Sequence, residues 1–94
     1  MNRKIKKVIK MFKKARHNDI NIVLNDEVYD ITITTSFGML ELAMEKKALE
    51  NLSVFQIFQE INMYYNAYIG LSRLQKEDPK AFDEIMSHYD KEVE

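Results

Sequence analysis

Residues 20–34, INIVLNDEVYDITIT, decide the fold. Large apolar residues recur at every second position on either side of the polar triplet 25–27, so each half has one apolar face. Alternation with a period of two indicates β-strands, and a short polar break between two such runs indicates a hairpin. We therefore predict a two-stranded β-hairpin over residues 20–35. Two strands are not stable alone in water, so their apolar face requires helices from the rest of the chain.

Helices are predicted on both sides of this hairpin. Before it, apolar residues recur at helical spacing on one stripe, with lysines and arginines on the opposite side, which is typical of an amphipathic helix. After it, Ser53 and Asp78 are residue types preferred at helix N-caps, and Pro79 suits a first helical turn. The predicted helices cover residues 1–17, about 39 to 50, 54 to 76, and 79 onward. The whole is a single α+β domain of residues 1–94, made of a basic helix (1–17), a two-stranded hairpin (20–35) and a helical part (39–94).

The composition excludes several classes of function. The 94 residues include no cysteine, and glycine occurs only at positions 38 and 70. This leaves no thiolate metal site, no disulfide framework and no phosphate-binding glycine loop. Glu84 and His88 are one helical turn apart without a third ligand, so we expect a solvated pair rather than a metal site. We predict a non-enzymatic protein without cofactor or membrane span, in a reducing compartment such as the cytoplasm.

The charges are segregated along the chain. Residues 1–18 contain eight of the fourteen basic residues and no acid, whereas the rest of the chain contains all fifteen acids and six bases. One interpretation is that the basic end lies against the acidic body of its own chain or of a neighbouring copy. The alternative is weak, sequence-independent binding of nucleic acid, because a lysine face neutralises phosphates but lacks side chains that identify bases. The candidate residues for that binding are Lys6, Lys7, Lys10, Lys13 and Lys14.

The predicted long helix is poor in charge. Residues 51–72 include five aromatic residues and a single charged residue, Glu60. A helix without charge around most of its girth is normally covered on more than one side, either within its own domain or by another protein. The heptad spacing of its apolar residues also leaves a homodimer open. Tyrosine and methionine among uncharged amides are typical of protein-binding surfaces, and the candidate contacts are Met63, Tyr64, Tyr65 and Tyr68.

The carboxyl end supplies a second set of candidate contacts. Residues 77–94 hold seven acids and two lysines, and carboxylates on a helix surface compete for a site that normally holds phosphates. We predict a protein-binding module with a partner that has a basic surface. The most specific hypothesis is a small inhibitor or adaptor of a nucleic-acid-handling protein, of the kind encoded by phages and other mobile elements. Its acidic contacts are expected at Asp83, Glu84 and Asp90.

A family resemblance points to the same general class. Residues 21–59 place a hairpin before the sequence Ser36-Phe37-Gly38-Met39-Leu40-Glu41 and continue into helices. This stretch resembles phage tail assembly chaperones, which are small non-enzymatic proteins with a hairpin leading into helices. The resemblance covers less than half of the chain. It implies a partner-dependent protein without catalytic residues.

Overall fold

The described chain is a three-stranded sheet with helices before and after it. The computed structural model covers the backbone of residues 2–93 and the side chains of residues 2–88. The elements are α1 (Arg3–Arg16), β1 (Ile20–Asn25), β2 (Val28–Thr35), β3 (Gly38–Glu45), α2 (Lys46–Glu50), α3 (Val54–Glu77) and α4 (Pro79–Val93). The strands are antiparallel neighbours in the order β1-β2-β3. The predicted α+β class is therefore confirmed.

The predicted two-stranded hairpin is wrong, because a third strand follows it. β3 pairs with β2 along its whole length, and only the last five residues of the helix expected at 39–50 are helical, as α2. The β3 segment GMLELAME consists largely of strong helix formers. However, its alternate residues Leu40, Leu42 and Met44 are half-buried against the core. Burial of this alternating set outweighs a helix preference of only about a few tenths of a kcal/mol per residue.

The turn between β2 and β3 depends on Gly38. This glycine has φ 127°, in the region that residues with a Cβ rarely adopt. The Thr35 hydroxyl donates to the Gly38 carbonyl at 2.6 Å and accepts the Phe37 N–H at 3.1 Å. The Tyr68 hydroxyl lies 3.3 Å from the position that a Cβ at residue 38 would occupy. The turn therefore closes the second hairpin and contacts α3 at the same point.

The core lies between the inner face of the sheet and the helices α1 and α3. Phe12 is fully buried there, and its ring makes edge-to-face contacts with Phe58 at 6.3 Å and Tyr65 at 5.3 Å. The buried residues are Ile5, Val8 and Phe12 of α1, Ile20, Ile22, Tyr29, Ile31 and Ile33 of the sheet, Leu49 of α2, and Ile57 and Ile61 of α3. Burial of each such side chain contributes about 1.5–3 kcal/mol. The alternating strand residues therefore fix the strand register, because a slip of one residue would expose them.

α3 begins over the sheet and ends against α4. The Ser53 hydroxyl accepts the Gln56 N–H at 3.2 Å, and the Gln56 side chain accepts the Ser53 N–H at 2.9 Å, which completes a capping box. Tyr68 already reaches the β2–β3 turn, so the residues after it extend past the sheet and pack with α4. Asp78 accepts the Ala81 N–H at 3.2 Å in the first turn of α4. The predicted capping roles of Ser53 and Asp78 are thus confirmed.

Candidate functional site

The exposed face of α1 is basic. Six side chains lie opposite the buried stripe and are exposed: Arg3, Lys6, Lys7, Lys10, Lys13 and Lys14. Among residues 2–88, the only salt bridge within 4.0 Å joins Lys46 and Glu50, at 3.9 Å. The basic face of α1 therefore forms no ion pair with the described part of the acidic body. The sequence left open whether the basic end lies against the acidic body of its own chain. Among residues 2–88, no salt bridge within 4.0 Å joins the two regions.

The other two basic side chains of α1 are bound to the rest of the domain. The Lys4 Nζ donates to the carbonyl oxygen of Glu50, the last residue of α2, at 3.2 Å, and to that of Leu52, just after α2, at 2.7 Å. The Arg16 Nε donates to the Asn62 Oδ1 at 2.8 Å. These contacts attach the two ends of α1 to the segment around α2 and to α3. Lys4 and Arg16 therefore have structural partners, whereas the six exposed basic residues have none within residues 2–88.

The outer face of the sheet is acidic and exposed. β2 and β3 place Asp30, Glu41 and Glu45 on this face. The other outward side chains are uncharged, namely Asn21, Val23, Asn25, Val28, Thr32, Thr34, Met39 and Ala43. The charge segregation along the sequence thus becomes a segregation between the α1 side and the sheet side of the body. Such a distribution orients a molecule toward a charged partner.

Met63 and Tyr64 are the exposed members of the predicted aromatic contact set. Their exposed fractions are 54% and 45%, but consecutive residues point about 100° apart around a helix, so they face different directions. Ile57 and Ile61 of the heptad stripe of α3 are fully buried against the sheet, whereas Tyr64, on the same side of the helix, is only partly covered. The chain's own core therefore covers the first part of that stripe, and a homodimer stays a prediction.

Tyr65 and Tyr68 are turned toward the body. The Tyr65 hydroxyl donates to the Asn18 Oδ1 at 2.8 Å, and its ring packs edge-on against Phe12. Tyr68 is half-buried beside Gly38. Both residues were predicted as partner contacts, and both have structural contacts within the described fold. The four predicted residues therefore do not form one exposed surface.

A cleft of about 170 Å³ lies beside Tyr64, between α2, α3 and β3. Glu45 and Glu60 belong to its lining, and both residues are exposed. The apolar lining is formed by Met44, Ala48, Leu49, Leu52 and the ring of Tyr64. Sequence reasoning missed this cleft because it assigned residues 39–50 to one helix. The arrangement offers a recess for an apolar side chain.

The acidic candidates on α4 form a separate surface. Asp83 and Glu84 are exposed, next to Ile85 and Met86, which are each 38% exposed. The side chain of Asp90 lies outside the described residues. In the part of the chain whose side chains are described, no three histidine, aspartate or glutamate residues are grouped as metal ligands would be. Asp83 and Glu84 therefore remain candidate contacts.

Comparison with known proteins leaves the function to be argued from these surfaces. No protein-family model matches the chain, and no curated protein or solved structure is significantly similar to it. The likeness of residues 21–59 to phage tail assembly chaperones stays a prediction. Within the described residues, no helix is long and apolar enough to cross a membrane. The basic face of α1, the acidic sheet face and the cleft are the features that remain.

Proposed function

We propose that this protein is a non-catalytic binding module whose acidic sheet face occupies a basic surface of another protein. The observation that carries the proposal is the exposure of Asp30, Glu41 and Glu45 on one face of a sheet whose three strands contain no lysine or arginine. No cation among residues 2–88 lies within salt-bridge distance of these carboxylates. An exposed surface of one sign increases the encounter rate with a partner of opposite sign and fixes its orientation.

The cleft beside Tyr64 would supply the apolar part of the same interface. Most of the affinity of a protein interface comes from a few buried apolar or aromatic anchors within a polar rim. Glu45 lies both on the acidic face and in the lining of the cleft, so the two features are continuous. In this proposal the carboxylates orient the partner, and the cleft holds one of its apolar side chains.

The proposed partner is a nucleic-acid-handling protein, on which this module acts as an inhibitor or an adaptor. Such proteins expose lysine and arginine side chains that normally bind phosphates. Carboxylates form the same kind of charge-assisted hydrogen bond with those side chains. A module bound there would exclude nucleic acid from the same groups. The carboxylates of Asp83 and Glu84 on α4 are a second candidate contact.

The test uses three immobilised forms of the chain: the wild type, a variant with the sheet carboxylates neutralised, and a control with carboxylates around α4 neutralised. Proteins retained from a lysate are identified, purified and rebound, with a DNA duplex as competitor. We expect the wild type and the α4 control to retain a nucleic-acid-binding protein. The sheet variant should not retain it, and the DNA duplex should displace it from the wild type. The sheet variant is Asp30→Asn, Glu41→Gln and Glu45→Gln. The α4 control, with the same charge change, is Asp83→Asn and Glu84→Gln on α4 together with Glu77→Gln at the end of α3.

Two outcomes would contradict the assignment of the acidic sheet face. Equal retention of the purified partner by the wild type and the sheet variant would show that these carboxylates are not used. Loss on the α4 control alone would move the contact to Asp83 and Glu84. Circular dichroism of each form of the chain shows whether the substitutions have left the fold intact.

A second candidate function is sequence-independent binding of nucleic acid by α1. It is favoured by the six exposed basic side chains that form no ion pair within residues 2–88. Arg3 and Lys14 are separated by about 17 Å along the helix, a length that spans several phosphates. The acidic sheet face lies on the other side of the body. Its repulsion of a bound duplex is weakened by salt, since the Debye length at physiological ionic strength is about 8 Å.

Fluorescence anisotropy with a labelled duplex and a labelled single-stranded RNA tests this second function. If about four phosphates are contacted, affinity should fall by roughly 10²-fold between about 50 and 200 mM salt. Binding should be lost in the variant Lys6→Glu, Lys10→Glu and Lys13→Glu. It should persist in the control Arg73→Glu, Lys76→Glu and Lys80→Glu, which changes the same charge elsewhere. Absence of binding at the lower salt concentration would eliminate this candidate.

A further inference from the structure

The outer edge of β3 presents unused backbone hydrogen-bonding groups. The Lys46 N–H donates to the Glu27 carbonyl at 2.9 Å, so residues 27 and 46 are a hydrogen-bonded pair of the antiparallel β2–β3 ladder. Every second residue pair along the ladder is then hydrogen-bonded in the same way. Even-numbered β3 residues therefore exchange hydrogen bonds with β2, whereas Met39, Glu41 and Ala43 direct their N–H and C=O groups away from it. β3 is last in the strand order, and no backbone hydrogen bond outside the described helices and strands involves these three residues.

β3 also lacks most of the features that usually protect an edge strand. Natural edge strands are blocked by proline, by charged side chains and lysine above all, by bulges or by short length. β3 has eight residues, contains neither proline nor lysine, and pairs with β2 without a bulge. Its charged residues are Glu41 and Glu45, both on the outer face. The opposite edge strand, β1, has six residues and lies against α1, the helix with the lysine face. β3 is thus the longer edge and the one with negative charge.

A strand added to this edge would meet a different surface on each of its faces. Its inward side chains would extend the half-buried layer of Leu40, Leu42 and Met44 toward the cleft beside Tyr64. Its outward side chains would lie next to the carboxylates of β3, because side chains on paired strands share the same two faces. A strand that satisfies both faces has apolar residues alternating with lysine or arginine.

We propose that β3 is the docking edge for an extended segment of a partner protein in which apolar residues alternate with lysine or arginine. The segment adds a fourth strand to the sheet, so that main-chain hydrogen bonds supply affinity and alternate side chains supply specificity. One apolar side chain enters the cleft, and cations lie beside Glu41 and Glu45. This inference rests on the proposed function and specifies how the basic partner is held.

The charges at this edge argue against a second copy of the chain as the occupant. A two-fold pairing of β3 with β3 would bring Glu41 and Glu45 of both copies onto one face of adjacent strands, and like charges there are destabilising. The concentrated basic residues of this chain lie in α1, a helix anchored by the buried Phe12, and are not in an extended segment. A basic segment from another protein meets neither obstacle.

The experiment titrates the isotope-labelled full chain with a synthetic ten-residue peptide in which arginine or lysine alternates with leucine or valine. Backbone amide exchange is followed by NMR. We expect the amides of Met39, Glu41 and Ala43 to exchange at least tenfold more slowly at saturation, since they become hydrogen-bonded. The even-numbered amides of β3 are already bonded and should change little. A peptide with glutamate at each basic position should not bind.

A matched pair of substitutions at Ala43 tests the main-chain contact directly. Proline at this position removes an amide that faces away from the sheet, which an edge strand tolerates, whereas Ala43→Ser retains the amide. We expect Ala43→Pro to weaken peptide binding at least tenfold and Ala43→Ser to change it less than twofold. The folded state of Ala43→Pro is checked by its NMR spectrum. Val23→Ser on β1 serves as a control at the opposite edge.

The outcomes separate this inference from the proposed function. Unchanged amide exchange at saturating peptide, or equal binding of the two Ala43 variants, would overturn strand addition. The proposed function would still stand if the purified partner depended on the outer carboxylates of the sheet. Self-association of the chain that Ala43→Pro abolishes would also overturn the inference, because the occupant would then be a second copy. Failure of the purified partner to respond to the sheet carboxylates would instead remove the proposed function itself.

Discussion

Tyr64 and Tyr65 are adjacent in sequence, and we expect their removal to affect stability very differently. Tyr65 is a contact within the domain, whereas Tyr64 is 45% exposed beside the cleft. Tyr65→Ala should therefore destabilise the fold strongly, and Tyr64→Ala should leave it nearly unchanged. This difference matters for function, because only a tyrosine that the fold does not require can be tested cleanly as a partner contact.

The magnitude follows from what the Tyr65 side chain contacts. Its ring lies 5.3 Å from the Phe12 ring at 87° and 5.5 Å from the Arg16 guanidinium carbon, and its hydroxyl donates to Asn18 at 2.8 Å. Truncating a fully buried aromatic side chain to alanine costs about 3–5 kcal/mol. The Tyr65 ring is only half-buried, but it also loses an aromatic pair and a hydrogen bond of about 0.5–1.5 kcal/mol each. We expect a net cost of about 2–4 kcal/mol.

Urea and thermal unfolding followed by circular dichroism measure these costs. At about 4–8 °C per kcal/mol for a domain of this size, a cost of about 2–4 kcal/mol means that Tyr65→Ala should lower the Tm by roughly 8–32 °C. Tyr65→Phe should cost about 1 kcal/mol, the value of one hydrogen bond. Tyr64→Ala should stay within about 0.5 kcal/mol of the wild type. The reasoning is refuted if Tyr65→Ala unfolds at the wild-type midpoint, or if Tyr64→Ala is equally damaging.

Two further pairs of substitutions should separate residues of the same type. Gly38→Ala should destabilise the fold by about 1–3 kcal/mol, because φ of 127° disfavours a residue with a Cβ and that Cβ would lie 3.3 Å from the Tyr68 hydroxyl. Gly70→Ala, inside α3 with nothing within 4 Å of the new Cβ, should stabilise it by about 0.5–1 kcal/mol; thermal melts with the same sign for both would contradict this. Lys4→Ala should cost about 1–2 kcal/mol because the carbonyls of Glu50 and Leu52, at the end of α2, lose their donor, and Lys7→Ala should cost less than about 0.5 kcal/mol. Matching urea midpoints for these lysine variants would argue against the structural role of Lys4.

Elements with a strong local period were predictable from the sequence. The stripe of Ile5, Val8 and Phe12 predicted a buried face for α1, and these residues are buried. The alternation over residues 20–34 predicted the pairing of β1 with β2, and the inward residues of that pattern belong to the core. Both patterns are visible within a few residues, because helical and strand geometry impose them on any segment with one buried face.

β3 was not predictable in the same way. Its residues are mostly helix formers, and its apolar face is only half-buried, so neither propensity nor burial identifies it locally. The segment is a strand because β2 presents a second edge and Gly38 adopts the backbone conformation that the turn requires. Missing this strand also concealed the cleft and the edge proposed as a docking site, because both depend on the position of residues 39–45.

The sequence by itself determined the segregation of charge, the amphipathic first helix and the first two strands, because composition and period are properties of neighbouring residues. Only the tertiary structure decided that Tyr65 belongs to the core region and Tyr64 to the surface. It also decided that the carboxylates of Asp30, Glu41 and Glu45 share one face opposite the lysines of α1. These assignments depend on contacts between distant segments, such as Tyr65 with Asn18 and β2 with β3. Such contacts produce no repeating pattern of apolar and polar residues in either segment by itself.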